Sequence, residues 1–136
     1  MKRVSWPAEL ASLPLLQEHV ETLAQQSGLG PKRLIQLSIA LEEVVMNIIN
    51  HAYAPAETGK ISIGFEDQGD QVFISISDTG VAFNPLGMAA PDVKSNLMDR
   101  PIGGLGVMMV KKFMDKVAYE RCNNENTLHL TFNKTE

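Results

Sequence analysis

The chain has 136 residues, of which 44% are hydrophobic, and this length suits one domain with a substantial core (residues 1–136) rather than two. Its formal net charge of −4 lacks the basic excess of a nucleic-acid-binding protein, so we expect no direct nucleic-acid contact. No apolar run approaches the roughly 20 residues that cross a bilayer, and the N terminus lacks the apolar stretch of a signal peptide. The single cysteine, Cys122, excludes an internal disulfide. We therefore expect a cytoplasmic protein without membrane contact.

The spacing of apolar residues predicts three helices and five strands. In chain order these are a strand at 3–6, helices at 9–26 and 31–53, strands at 61–65 and 72–76, a helix at 105–116, and strands at 117–121 and 127–133. Residues 79–103 show no sustained period and are predicted to form a long loop, which in a compact domain is usually functional. This order predicts an α+β two-layer sandwich, with helices covering one face of a mixed, largely antiparallel sheet.

The second predicted helix carries a narrow polar stripe between apolar faces. Projected at about 100° per residue, Glu43, Asn47, Asn50 and His51 fall within one arc. The spacing of four residues places Glu43 beside Asn47. An amide oxygen suits Mg²⁺, and a carboxylate one turn earlier is placed to accept a proton from a nucleophile that approaches a γ-phosphate. The helix alone leaves open that both side chains are simply exposed to solvent.

Two further motifs lie at predicted element ends. Asp78 follows a strand, where its carboxylate could accept a hydrogen bond from a base amine, and Gly80 would let the backbone approach a flat ring. An ordinary turn has the same Asp-x-Gly pattern. Gly104 and Gly106 open the third helix, where backbone N–H groups could bind phosphate oxygens. No strand precedes these glycines and no Lys-Ser/Thr follows them, which excludes Rossmann and Walker loops and leaves a flexible hinge as the alternative.

The order of these three motifs resembles the N, G1 and G2 boxes of the GHKL ATPase superfamily (Bergerat fold), which includes type II topoisomerases, MutL and histidine kinases. The anti-sigma factor serine kinases of this superfamily look most similar. Residues 41–53 follow their Ser-Glu-Ala-x-x-Asn-Ala-x-x-His-Ala/Gly-Tyr pattern, and residues 78–85 follow Asp-x-Gly-x-x-Phe-Asp/Asn-Pro. Residues 103–106 and 113–117 follow Gly-Gly-Leu-Gly and Met-Asp-x-Val. The resemblance spans essentially the whole chain, so we do not expect the histidine-bearing dimerisation domain of a complete histidine kinase.

The resemblance implies a role for each matched position. Glu43 would be the general base and Asn47 the Mg²⁺ ligand, although Glu42 departs from the pattern because serine is usual there. His51 matches the pattern and is expected to be structural rather than catalytic. The implied ATP contacts are Asp78 on the adenine amine, Gly80 against the ring, the Gly104 and Gly106 amides on phosphates, and Thr127 in support of adenine. Lys94 and Arg100, in the variable lid, are further candidates for phosphate contacts.

The resemblance also implies a function. The chain would transfer the γ-phosphate of ATP to a serine on an anti-anti-sigma partner of the STAS type. When that partner is absent or already phosphorylated, the chain would hold a sigma factor inactive. Members of this family often pair as dimers, so the resemblance allows a homodimer, but no residue of the sequence fixes the stoichiometry. The alternative function is a nucleotide-dependent module that sequesters a partner without phosphate transfer.

Overall fold

The computed structural model describes residues 2–54, 59–84 and 104–135. The elements follow in the order β1 (Arg3–Pro7), α1 (Leu13–Gln26), α2 (Pro31–His51), β2 (Lys60–Asp67), β3 (Gln71–Asp78), α3 (Gly104–Phe113), β4 (Lys116–Cys122) and β5 (Glu125–Asn133). Within this part of the chain, no helix combines the length and the apolar character needed to cross a membrane.

The five strands form one sheet in the order β1-β2-β3-β5-β4. Every pairing between the described strands is antiparallel. The three helices cover one face, which confirms the predicted α+β two-layer sandwich, and the parallel pairing that a mixed sheet would contain is not among the described strands. The core between the layers is apolar on both sides and includes Leu16, Val20, Leu37, Leu41, Val44, Ile48, Ile63, Ile74, Leu130 and Phe132.

The first predicted helix starts later than its apolar spacing suggests. A 3₁₀ turn at Leu10–Ser12 precedes α1, and Pro14 occupies the first turn of α1, where its missing N–H leaves no hydrogen bond unmade. After α1 the backbone reverses at Gly28, whose φ of +98° lies in the left-handed region that glycine adopts readily. The turn brings α2 back beside α1 over the sheet.

The third helix ends three residues before the predicted boundary, because Asp115 turns the chain into the sheet. Asp115 N donates to Thr131 O at 3.0 Å, and its carboxylate accepts hydrogen bonds from Asn133 N at 2.7 Å and from Arg33 Nη2 at 3.1 Å. Lys116, which the periodicity assigns to the helix, is the first residue of β4.

Candidate nucleotide-binding site

Glu43 and Asn47 lie side by side on α2, as their spacing predicts. Asn47 Nδ2 donates a hydrogen bond to Glu43 Oε1 at 3.4 Å, and Asn47 is only 4% exposed, so the solvent-exposed alternative does not hold for this residue. Burial raises the pKa of the Glu43 carboxyl, the hydrogen bond from Asn47 opposes that rise, and the nearby charge of Glu42 adds to it. A half-buried carboxyl with a raised pKa is suited to accept a proton.

Asp78 lies at the end of β3 and is 2% exposed. Its Oδ1 accepts hydrogen bonds from Gly80 N and from Asn126 Nδ2, both at 2.9 Å. Burial raises the pKa of the Asp78 carboxyl, whereas these two hydrogen bonds and the charge of Arg121 lower it. Among the described residues, hydrogen bonds therefore reach only one of the two oxygens of this buried carboxylate.

Asn126 on β5 is the main partner of that carboxylate, and it is 1% exposed. Its Nδ2 donates to Asp78 Oδ1 at 2.9 Å and to Val81 O at 2.7 Å. Its Oδ1 accepts hydrogen bonds from three donors, which are Tyr119 Oη at 2.6 Å, Arg121 Nη1 at 3.1 Å and Phe83 N at 3.3 Å. One buried amide thus connects β3, the β4–β5 hairpin and the segment after β3.

The segment that follows β3 packs against the last turn of α2. Val81 N donates to Ala52 O at 2.9 Å, and a Cβ atom on Gly80 would collide with the same carbonyl. Tyr53 Oη accepts a hydrogen bond from Thr79 N at 2.8 Å. Contact with α2 is therefore a sufficient reason for glycine at position 80, and the expected approach to a flat ring stays a prediction.

His51, the last residue of α2, also contacts this segment. Its exposed ring lies 5.7 Å from the ring of Phe83, measured between centroids, at an interplanar angle of 50°. The contact is a further tie between α2 and the segment after β3, which agrees with the structural role expected for His51.

The helix α3 begins at Gly104 and contains Gly106 in its first turn. The first four N–H groups of a helix have no partner within it, so both amides belong to a helix end that favours anions. Since α3 packs on α2, this end belongs to the same helical layer as Glu43 and Asn47. Lys94 and Arg100 lie outside the described residues, and their expected phosphate contacts stay predictions.

Thr127 lies on the sheet face opposite to the one that carries Asp78. Side chains alternate between the faces of a strand, and Leu128 and Leu130 point into the core, so Asn126 shares their face and Thr127 points away from it. The Thr127 hydroxyl lies instead 3.1 Å from Ser77 Oγ on the outer face. The pairing of β3 with β5 sets Asp78 opposite Asn126. The sequence interpretation missed Asn126, although the alternation of apolar residues in this strand carries the signal.

The described residues offer few ligands for a metal ion. Across residues 2–54, 59–84 and 104–135, no group of three or more His, Cys, Asp or Glu side chains is arranged to hold one. Mg²⁺ that arrives with a nucleotide is bound mainly by phosphate and water oxygens and needs only one or two protein ligands. The amide of Asn47, with the Glu43 carboxylate beside it, fits that limited requirement.

Comparison with known proteins identifies the family of this chain. A family model described as "Histidine kinase-like ATPase domain" matches residues 6–132. The serine/threonine-protein kinase BtrW of Bordetella bronchiseptica is 27% identical over 112 residues, which cover 82% of this chain and 79% of the relative. The serine-protein kinase RsbW of Oceanobacillus iheyensis is 28% identical over 117 residues, which cover 82% of this chain and 72% of that protein.

Solved structures show the same fold at low sequence identity. The structure of the RsbU and RsbW domains of Rv1364c from Mycobacterium tuberculosis superposes with a TM-score of 0.62 at 14% identity. It covers 98% of this chain, which spans about a third (32%) of that larger chain. The histidine kinase domain of the Erythrobacter litoralis EL346 blue-light activated histidine kinase superposes with a TM-score of 0.58 over 90% of this chain. On the family match and this fold, the chain belongs to the histidine kinase-like ATPase domain family.

Proposed function

We propose that this chain is a protein serine kinase that binds Mg-ATP and transfers its γ-phosphate to a serine of a partner protein. The observation that carries the proposal is the pair formed by Glu43 and Asn47, in which a carboxyl with a raised pKa contacts a buried amide. The relatives BtrW and RsbW are named serine kinases, which supports the same reaction for this chain. A module that only bound nucleotide would not need a proton acceptor at position 43.

In the proposed reaction each residue acts on one part of the substrate. Asp78 accepts a hydrogen bond from the adenine amine, and the Gly104 and Gly106 amides bind phosphate oxygens. Asn47 would hold Mg²⁺ together with the nucleotide, and the ion would supply neutralisation of charge on the phosphates. The Glu43 carboxylate accepts the proton of the partner's serine hydroxyl. The serine oxygen then bonds to the γ-phosphorus while the bond to the β–γ bridging oxygen breaks, so that ADP leaves.

We further propose that the partner is an anti-anti-sigma protein of the STAS type and that the chain also binds a sigma factor in the cytoplasm. Phosphorylation of the partner would weaken its complex with the kinase and free the kinase to hold the sigma factor. This step rests on the similarity of residues 41–53, 78–85 and 103–106 to the anti-sigma factor serine kinases. The second candidate, sequestration of a partner without phosphate transfer, predicts an ATP-dependent complex and no phosphoserine.

The test is transfer of label from [γ-³²P]ATP to a STAS-type protein encoded in the same genome, with its acceptor serine changed to alanine as a substrate control. The decisive variant is Glu43→Gln, which keeps the shape of the side chain and removes the proton acceptor. The matched control is Glu42→Gln, because Glu42 is the neighbouring carboxylate on α2 and is exposed. ATP affinity is measured in parallel by calorimetry.

We expect Glu43→Gln to bind ATP normally and to lose about 100- to 10,000-fold in transfer rate, which is the usual contribution of a general base. Glu42→Gln should retain activity within about twofold, since exposed substitutions have small effects. A Glu43→Gln enzyme with full activity would remove Glu43 as the base. A wild-type chain that binds ATP and the partner without forming phosphoserine would favour the sequestration module.

A further inference from the structure

The side-chain amide of Asn126 can occupy its site in only one orientation. Its two N–H bonds are both used, toward Asp78 Oδ1 and Val81 O, and its oxygen accepts from the hydroxyl of Tyr119 and the guanidinium of Arg121. A flipped amide would place oxygen against a carboxylate and a carbonyl, and would place N–H groups against two donors. Burial makes such mismatches costly, so the hydrogen-bond network fixes the amide.

The fixed amide in turn determines how the Asp78 carboxylate is presented. Oδ1 accepts both hydrogen bonds that the structure records for this side chain, from Gly80 N and Asn126 Nδ2. Oδ2 receives none from the residues that the structure describes, so it is the oxygen left to meet a ligand. Because a hydrogen bond donated to a carboxylate favours its charged form, Asn126 also keeps Asp78 an acceptor.

The group at position 6 of a purine base then determines whether that base can pair with Oδ2 of Asp78. A 6-aminopurine presents an N–H donor to Oδ2 at position 6, whereas a 6-oxopurine presents an acceptor at position 6 and carries its N–H at N1. Two acceptors at hydrogen-bond distance repel, and the buried carboxylate would lose water without gaining a partner. A 6-oxopurine becomes acceptable only if Asp78 turns away, shifts toward the N1–H or takes up a proton, and the Asn126 amide opposes each of these changes.

We propose that Asn126 is the positioning residue that makes this site select a 6-aminopurine over a 6-oxopurine, by locking Asp78 with Oδ2 toward the base. The inference rests on the proposed nucleotide site and adds a residue that the sequence motifs did not indicate. Arg121 supports the same arrangement, because its Nη1 donates both to Asn126 Oδ1 and to Gly80 O at 2.8 Å.

The experiment compares ATP with inosine triphosphate (ITP), in which oxygen replaces the 6-amino group and N1 carries a hydrogen. Dissociation constants for both nucleotides with Mg²⁺ are measured by calorimetry on the wild type, Asn126→Asp and Asn126→Ala. Asn126→Asp keeps the shape of the side chain and removes both N–H donors. The matched control is Asn124→Asp, the same substitution at an exposed turn residue of the same hairpin. Thermal unfolding confirms that each variant is folded. One folded Asn126 variant is enough to test the inference.

We expect the wild type to prefer ATP to ITP by roughly 10- to 100-fold, the range for a hydrogen bond that involves a charged group. Both Asn126 variants should lose most of that preference. In Asn126→Asp the new carboxylate shares a proton with Asp78, which can then donate to a 6-oxo group. In Asn126→Ala the Asp78 side chain loses the hydrogen bond that fixes its orientation. Asn124→Asp should keep the wild-type preference.

Three results would contradict the inference in different ways. If the Asn126 variants bind ATP and ITP more weakly by the same factor, Asn126 has only a structural role. If they keep wild-type affinities, the lock on Asp78 has no effect, while the proposed kinase function stands. If the wild type binds neither nucleotide at millimolar concentration, the proposed function itself fails and this inference fails with it.

Discussion

Among the residues that the structure describes, a buried polar cluster lies at each end of α2, and the two clusters differ in how many of their polar atoms are paired. At the first turn of α2, Arg33 is 7% exposed and its guanidinium lies 3.5 Å from the ring centroid of Phe132. Its nitrogens donate to four separate acceptors, which are Asn133 O at 2.9 Å, Gln36 Oε1 at 2.7 Å, Phe113 O at 3.4 Å and Asp115 Oδ2 at 3.1 Å. The cluster joins α2, α3 and β5, and every guanidinium nitrogen has a partner within the chain.

The cluster at the other end, around Asp78, is only partly paired. One carboxylate oxygen has two donors and the other has none among the described residues. Burial raises the pKa of Asp78, as it does for Glu43 on α2, because a charged carboxylate is less favourable there than in water. A fully paired cluster stabilises the fold, whereas a partly paired one leaves hydrogen-bonding capacity for a ligand. The four predictions below test this difference.

The largest effect should come from Arg33→Met, which removes the charge and keeps much of the side-chain length. Asp115, Asn133 O and Phe113 O lose the hydrogen bonds that Arg33 donates, so we expect the free energy of unfolding to fall by about 3 kcal/mol. Urea denaturation measures this change. ATP affinity of the folded variant should stay within about twofold, because the cluster lies at the opposite end of α2. Loss of ATP binding by a folded Arg33→Met chain would contradict the separation of roles.

Asp78→Asn should change ATP binding rather than stability, and we expect it to reduce ATP affinity by roughly 10- to 100-fold. Because burial raises the pKa of Asp78, the folded chain binds a proton more tightly than the unfolded chain, and stability falls as pH rises between the two pKa values. The variant should therefore unfold at the same or a higher temperature than the wild type at pH ~7. That difference should shrink as the pH approaches about 4. A clearly less stable Asp78→Asn chain would mean that Asp78 serves the fold.

The pH dependence of phosphate transfer should report Glu43. The carboxylate form accepts the proton, so activity is lost as pH falls through the pKa of Glu43, and burial shifts that loss to a higher pH than an ordinary glutamate would give. Below that pKa the rate should fall by up to about tenfold per pH unit. Rates measured between about pH 5 and pH 8 at saturating ATP test this. A profile unchanged in Glu43→Gln would assign the ionisation to another group.

The smallest effect should come from Tyr53→Phe, which acts on the link between α2 and the segment after β3. The lost hydroxyl accepts from Thr79 N and donates to Lys60 O, both at 2.8 Å, so we expect a loss of about 1 kcal/mol in the free energy of unfolding. ATP affinity should fall slightly, by about twofold or threefold, because the segment also stays attached through Val81 N and Ala52 O. A larger loss of affinity than of stability would give Tyr53 a direct part in binding.

The sequence predicts the layers of this fold well, because apolar periodicity records which side of each element faces the core. It also predicts the Glu43–Asn47 pair, since both residues lie on one helix at a fixed spacing. It does not predict the contact between Asp78 and Asn126, which are 48 residues apart and meet only through the pairing of β3 with β5. A one-residue difference in strand position exchanges the two faces of the sheet, so the match of Thr127 to a family threonine could not show that Asn126 is the residue opposite Asp78.

The central claim is that the Asp78 end of the domain binds an adenine nucleotide and the Arg33 end does not. Titration of ¹⁵N-labelled protein with Mg-ATP, followed by two-dimensional amide NMR spectra, tests it directly. We predict saturable shifts at the backbone amides of Gly80 and Val81 and at the side-chain amide of Asn126, and unchanged signals at Arg33 and Asn133. The absence of shifts at millimolar Mg-ATP, or shifts centred on Arg33, would contradict the account.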